Sequence, residues 1–196
     1  MVQQDDIFID LLAPSEPCLL VKLSGFLFTE YTYIMKTLSG YLYGIVLSLW
    51  VGGMSLFTFV LTPVIFKSYP RDTAGEIVGT LFPSYFLFTL AVSAAGMVLF
   101  LLSFQRSSAS RARISLVLVS LAVVVSVYVN FRLYPETIKA KQEVHSFETA
   151  PDDPSRLRFR RLHAQSAVLN LIMIADGLAL LVMQMRMRKL GPTEGV

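Results

Sequence analysis

Apolar residues fill four stretches of the chain, roughly 38–66, 82–104, 112–134 and 160–185, and shorter polar connections separate them. Each stretch is long enough to cross a bilayer as a helix, since about 20 residues rising about 1.5 Å each cover a hydrocarbon core of about 30 Å. Four such stretches joined by loops predict an all-α fold, an integral membrane four-helix antiparallel bundle with short interfacial helices in the connections. Residues 1–35 read differently. Asp5, Asp6 and Asp10 stand where a signal peptide needs positive charge, and Pro14 and Pro17 interrupt the apolar runs. This segment is expected to be a start-site artefact ahead of Met35-Lys36 or a peripheral extension. A four-helix domain over 36–190 and a polar tail over 191–196 follow.

Prolines and small residues punctuate the spans. Thr62-Pro63 is expected to kink or end the first helix, because proline removes a helical hydrogen bond, and Pro83 to open the second. Thr73 and Glu76 have capping-box spacing, which predicts a separate short helix in the first connection. Tyr69 and Tyr85 suit an aromatic belt. After the third span, Ala140, Val144 and Phe147 mark one side of an amphipathic helix, and the break at 151–155 leaves Asp153 as the N-cap of the fourth helix. Gly40, Gly44, Gly52 and Gly53 in the first span, with Gly96 in the second, suit close helix packing.

Composition narrows the class. With 54% hydrophobic and 16% charged residues, the chain is too apolar for an ordinary soluble domain. The net charge of +3 comes from lysines and arginines at the ends of spans, not interleaved with aromatics, so the partner is the lipid bilayer and not nucleic acid. A single cysteine, Cys18, excludes a disulfide or a cysteine-based zinc site within one chain. The turn with Arg106, Arg111 and Arg113 and the tail with Arg186, Arg188 and Lys189 favour both termini in the cytoplasm, and the inner membrane for a bacterial protein.

The candidate chemistry sits in the fourth span. His163, Ser166 and Asn170 are spaced i, i+3, i+7 and share one stripe; Gln165 and Asp176 share another. An antiparallel bundle gathers Thr62, Lys67, Arg71, Asn130, Arg132 and His163 at one membrane face. His163 is either an interfacial hydrogen-bonding residue or a group that handles protons or ligates a metal or haem. The other histidine, His145, lies in a loop, so a two-histidine site within the membrane needs a second chain. A carboxylate at the centre of a span costs about 2.5–3.5 kcal/mol to insert, so Asp176 faces other helices, as a structural neutral carboxyl or as a functional group. Arg132 either snorkels to the interface or holds an anion beside Asn130. Met183, Met185 and Met187 are spaced by two, which scatters them around a helix, so they read as a solvated end and not a copper site.

Several spaced motifs resemble one family. Phe66-Lys67-Ser68-x-Pro70-Arg71-x-Thr73-x-Gly75, then Leu81-Phe82-Pro83-x-Tyr85-Phe86, then Asn130-x-Arg132 with Pro135, and His163-x-x-Ser166-x-x-x-Asn170 are similar to the signature of the transmembrane protein 205-like family, whose bacterial members form a domain family of unknown function. The resemblance covers about residues 36–188. It implies a four-helix integral membrane protein. The eukaryotic namesake is linked to resistance to platinum drugs, and the family is distantly similar to membrane families tied to copper resistance and to haem-dependent porphyrinogen oxidation. Two departures are Asp176, which stands where the namesake has asparagine, and residues 1–34, which have no counterpart.

Three functions compete. The leading expectation is transport or resistance, through a polar pocket of Asn130, Arg132, His163, Ser166 and Asn170, with Arg71 and Lys67 nearby, that admits a small ion, metal or drug complex. Four helices are few for alternating access, so this reading implies a homo-oligomer. The second is a haem- or porphyrin-handling oxidoreductase, with His163 as the iron ligand and arginines on the propionates. The third is an accessory or scaffold subunit, in which His163 and Asp176 are dispensable and Gly40, Gly44 and Gly53 are not. A hydrolytic triad is not expected, since Ser166 and His163 lie on one helix with no activating geometry.

Overall fold

The computed structural model describes residues 16–103, 109–144 and 154–189. Helix α1 runs Glu16–Ser55, a π-helical segment follows over Leu56–Leu61, and α2 spans Thr62–Ser68. After a bend at Tyr69-Pro70, α3 covers Arg71–Ser103. Helix α4 is Ala109–Tyr128, a second π segment is Val129–Leu133, α5 is Tyr134–Gln142, and α6 is Pro154–Lys189. Among the described residues, four helical stretches are long and apolar enough to cross a membrane: Glu30–Ser68, Arg71–Ser103, Ser110–Gln142 and Pro154–Arg186.

The interhelical contacts fix an antiparallel bundle in which α1, α3, α4 and α6 form a ring. Trp50 on α1 lies at Gly96 on α3. On the next pair, Ser93 of α3 meets Ser126 of α4 through their hydroxyls at 3.2 Å. Gln165 of α6 donates to Tyr128 Oη of α4 at 3.1 Å. The ring closes where Gln184 Nε2 of α6 donates to the Gly40 carbonyl of α1 at 3.0 Å. Trp50, Leu47, Met54, Val119, Ala122, Met173 and Leu180 form the core, while Leu49, Phe59, Leu87, Val117, Val124, Phe131 and Val168 point outward and exposed. In water such a surface would be an aggregation hazard; around a spanning bundle it is the lipid-facing coat.

The described parts of the first and last connections are helical as expected, and they continue the spanning helices at their ends. Pro63 does not end the first helix. It lacks an N–H and its ring crowds the carbonyl four residues back, and the chain widens by one residue per turn just before it. The Thr62 N–H bonds to the Phe57 carbonyl, five residues back, and its Oγ1 reaches the same oxygen at 2.9 Å. Pro135 acts in the same way: the Tyr134 N–H bonds to the Val129 carbonyl before α5 continues. Pro83 lies inside α3 and not at its start, so the Thr73–Glu76 segment is the first turns of the spanning helix and caps nothing. Asp153, His145 and Phe147 lie outside the described residues, as do residues 1–15 of the N-terminal segment and the tail beyond Lys189. Helix α1 is continuous from Glu16, upstream of the expected first span.

The glycines divide. A Cβ on Gly53 would fall 2.6 Å from the Phe88 ring, and one on Gly96 would touch Trp50 at 3.9 Å, so both sit at the α1–α3 contact. At Gly40 and Gly52 an added Cβ meets nothing within 4 Å, so neither position needs to be glycine for the described helices to approach. Helices α1 and α6 also approach closely at Gly177, where a Cβ would stand 3.1 Å from Val51 Cγ2 and 3.3 Å from the Trp50 indole.

Candidate functional site

The π segments, α2, α5, the first turns of α3 and the first turns of α6 all lie at one end of the bundle. They surround a cavity of about 990 Å³. Phe82, Phe86, Val129 and Tyr134 make its apolar wall, and Thr62, Thr137, His163 and Ser166 add polar groups. Four cations, Arg71, Lys141, Arg156 and Arg160, line it against two acids, Asp72 and Glu76. Lys141 is already engaged: its Nζ donates to the Gly75 carbonyl at 2.9 Å, lying over Gly79, where a Cβ would stand 2.8 Å from the amine. Arg156 is not engaged in this way. Its Nε is buried and has no hydrogen-bond partner among the described residues.

The histidine is held by aromatics. Phe159, one turn earlier on α6, stacks on His163 with ring centres 5.7 Å apart and planes 12° apart, and Phe82 of α3 lies 6.4 Å away. Ser166 turns its hydroxyl back to the His163 carbonyl at 2.8 Å. Among the described residues no three of His, Cys, Asp and Glu cluster in a way that could hold a metal ion. What the wall offers is cationic hydrogen-bond donors beside aromatic faces, the chemistry that suits an anionic group attached to an apolar body.

Behind the cavity lies a buried polar node. Asn170 on α6 accepts from Tyr85 Oη of α3 through Oδ1 and donates to Thr58 Oγ1 of the first π segment at 2.8 Å, so one side chain ties three spans. Asn130 donates to the Phe86 and Ser126 carbonyls, both at 2.9 Å, and so bridges α3 to α4. A second cavity of about 20 Å³, large enough for a water, lies against Tyr85, Ser126, Asn170 and Met173, and Ser166 lines both cavities.

The residues singled out from the sequence therefore separate. His163, Ser166 and Arg71 reach the cavity wall. Asn170 and Asn130 stand behind it as half-buried bridges. Arg132 points away, three-quarters exposed, with Glu136 at 4.0 Å, and Lys67 is exposed on α2 and outside the cavity lining. Gln165 reaches Tyr128 on α4, whereas Asp176 is buried with no hydrogen-bond partner among the described residues. Tyr85 is a correction: it is not at an aromatic belt but 8% exposed inside the bundle. Met185, which suited a solvated helix end, is exposed. Arg156, Arg160 and Lys141 went unnoticed in the sequence; the signal was their place one or two turns before the His163 stripe and on the amphipathic face of α5.

Outside the cavity, Arg158 forks to Glu136 and Glu143 at 3.2–3.3 Å and ties α6 to α5. All three side chains are partly exposed, so Arg158→Ala is expected to cost under about 1 kcal/mol, a loss that shrinks further in high salt. Thermal unfolding at two salt concentrations checks this; a loss of several kcal/mol would show the pair to be far better shielded.

Such an architecture defines a multi-pass helical membrane protein with a cation-lined cavity at one end of the bundle. The profile of Domain of unknown function (DUF4149) matches residues 45–146, just over half of the 196-residue chain, and the chain belongs to that family. The match takes in Thr58, Tyr85 and Asn130 and stops short of α6. No curated protein and no solved structure matches the chain.

Proposed function

We propose that the protein binds a small solute carrying an anionic group and an apolar body in the large cavity, and passes it through or extracts it from the membrane. The observation that carries this is the buried Nε of Arg156, without a partner among the described residues, in a cavity wall where the described cations outnumber the described acids four to two. A buried donor without an acceptor is costly, and an anion from outside would supply one. The aromatic wall accounts for the apolar body, and the opening at one membrane face for entry. The resemblance to the transmembrane protein 205-like family, with its link to drug resistance, supports the same reading. With both termini in the cytoplasm, the cavity would open on the opposite side.

Phenyl phosphate and benzoate are the probes, with benzyl alcohol as the uncharged control. Ligand near 100 times its Kd raises stability by about 2.7 kcal/mol, so a binder lifts the midpoint of thermal unfolding visibly. We expect a rise with the anions and none with the alcohol. Replacing Arg156 and Arg160 by methionine should weaken binding at least about tenfold, because a hydrogen bond to a charged group contributes about 1.5–3 kcal/mol. Uptake of the tighter anion into proteoliposomes then tests the transport step. Equal response to the alcohol, or no effect of the arginine substitutions, overturns the reading. A haem or porphyrin reading uses the same wall, with His163 as the one ligand and the arginines on the carboxylates; a Soret band in the purified wild type that disappears in His163→Ala would favour it instead.

A further inference from the structure

Asp176 is more than nine-tenths buried, and neither carboxylate oxygen has a hydrogen-bond partner among the described residues. Of the four other buried side-chain atoms in that condition, two face the same helix contact, Tyr43 Oη and Trp50 Nε1. These belong together. Tyr43 and Trp50 are seven residues apart on α1, two turns along one face, and that face meets α6 at Asp176-Gly177. Tyr43 interacts electrostatically with Asp176, and a Cβ on Gly177 would lie 3.3 Å from Trp50 Nε1. Buried polar groups are nearly always paired, so three orphans at one helix contact mark a site.

The charge pattern says what the site takes. Residues 37–66, 84–103, 114–131 and 164–185 contain no lysine, arginine, glutamate or histidine, and Asp176 is their one aspartate. Tyr43 is therefore the titratable group that faces it: α3 and α4 bring no charged side chain to that depth, and α6 brings none beside it. A carboxylate with no counter-charge in the membrane needs a cation from elsewhere. A metal ion would find only the two Asp176 oxygens and the Tyr43 hydroxyl, too few for hard cations that take about six oxygens or more. A proton fits. The neutral carboxyl can donate to Tyr43 Oη, and the ionised one can accept from the Tyr43 O–H and the Trp50 N–H, so both states have partners of the right kind. The small cavity beside Ser166 and Asn170, with room for a water, is lined by Met173, one turn before Asp176.

We propose that Asp176 is an exchangeable proton-binding site inside the membrane, served by Tyr43 and Trp50. It stands whatever solute the large cavity binds. Trp50 is the one tryptophan of the chain, so its fluorescence reports this site alone. In the purified full chain without added solute, Trp50 emission should change in one step between acid and mildly alkaline pH. In Asp176→Asn it should stay flat over the same range, with the helical circular dichroism unchanged, and in Tyr43→Phe the step should move. Should Asp176→Asn fail to fold, a lipid-soluble carbodiimide, which reacts with protonated carboxyls, should label Asp176 in the wild type, with a yield that falls as pH rises. Flat emission in the wild type, the same step in Asp176→Asn, emission that follows sodium or potassium at fixed pH, or labelling that ignores pH would each overturn the proposal.

Discussion

Gly177→Leu is expected to unfold the protein at a markedly lower temperature than the wild type, while Gly52→Leu is not. At Gly177 the α6 backbone lies against the Trp50–Val51 turn of α1, with room for hardly more than a hydrogen. Alanine there asks its neighbours to shift by a few tenths of an ångström, a strain offset by the better helix propensity of alanine over glycine, about 1 kcal/mol. Leucine has no such compensation. Its branched end must push Trp50 aside, and Trp50 is fully buried at the α3 contact as well. Overpacking of this kind costs about 1–3 kcal/mol, which for a chain of this size lowers the unfolding midpoint by roughly 2–4 °C per kcal/mol. Gly52 is exposed, and nothing lies within 4 Å of a Cβ there. Thermal unfolding of the two variants in detergent decides the matter: a Gly177→Leu protein as stable as the wild type would show that α1 and α6 do not approach as described. A loss at Gly52 instead would reveal packing of that face of α1 against a second chain.

Long apolar runs made the class and topology of this fold readable, because a helix that crosses lipid must satisfy every backbone group within itself and its length is set by the bilayer. The stripe of His163, Ser166 and Asn170 was readable for a related reason: spacing on a straight helix fixes which side chains share a face. What was not readable came from prolines. Treating Pro83 as a helix start put Tyr85 at the interface, whereas a helix already running for three turns carries Tyr85 into the core. The two π segments are also invisible to a regular 3.6-residue period, yet each shifts every side chain beyond it around the axis. Arg156 and Arg160 stand on the helical stretch that Asp153 as an N-cap predicts, but only the packing of α3 and α5 against it shows that both line the cavity. Of the two readings of Arg132, snorkelling or holding an anion beside Asn130, the exposed side chain within the second π segment fits the first.

Asn170→Leu should be the most damaging single change in the polar node, and Tyr85→Phe a milder one. Removing the Asn170 amide takes one hydrogen-bond partner from each of two hydroxyls, Tyr85 Oη and Thr58 Oγ1, and leaves them only their bond to each other. Hydrogen bonds between helices in a membrane are worth about 0.6 kcal/mol on average and up to about 1.7, so the loss of two comes to roughly 1–3 kcal/mol. Tyr85→Phe removes one of them and leaves Asn170 its bond to Thr58. It also keeps the ring stacked on Phe57 at 4.1 Å, so its cost should stay near the single-bond value. In the double variant the tyrosine hydroxyl that Asn170→Leu would have deprived of a partner is already gone, and the two losses should fall short of their sum by about the strength of the shared bond. Unfolding free energies for the two single variants, the double variant and the wild type measure that difference. Strict additivity would mean that Tyr85 and Asn170 are not bonded, and that the asparagine holds its helix through Thr58 alone.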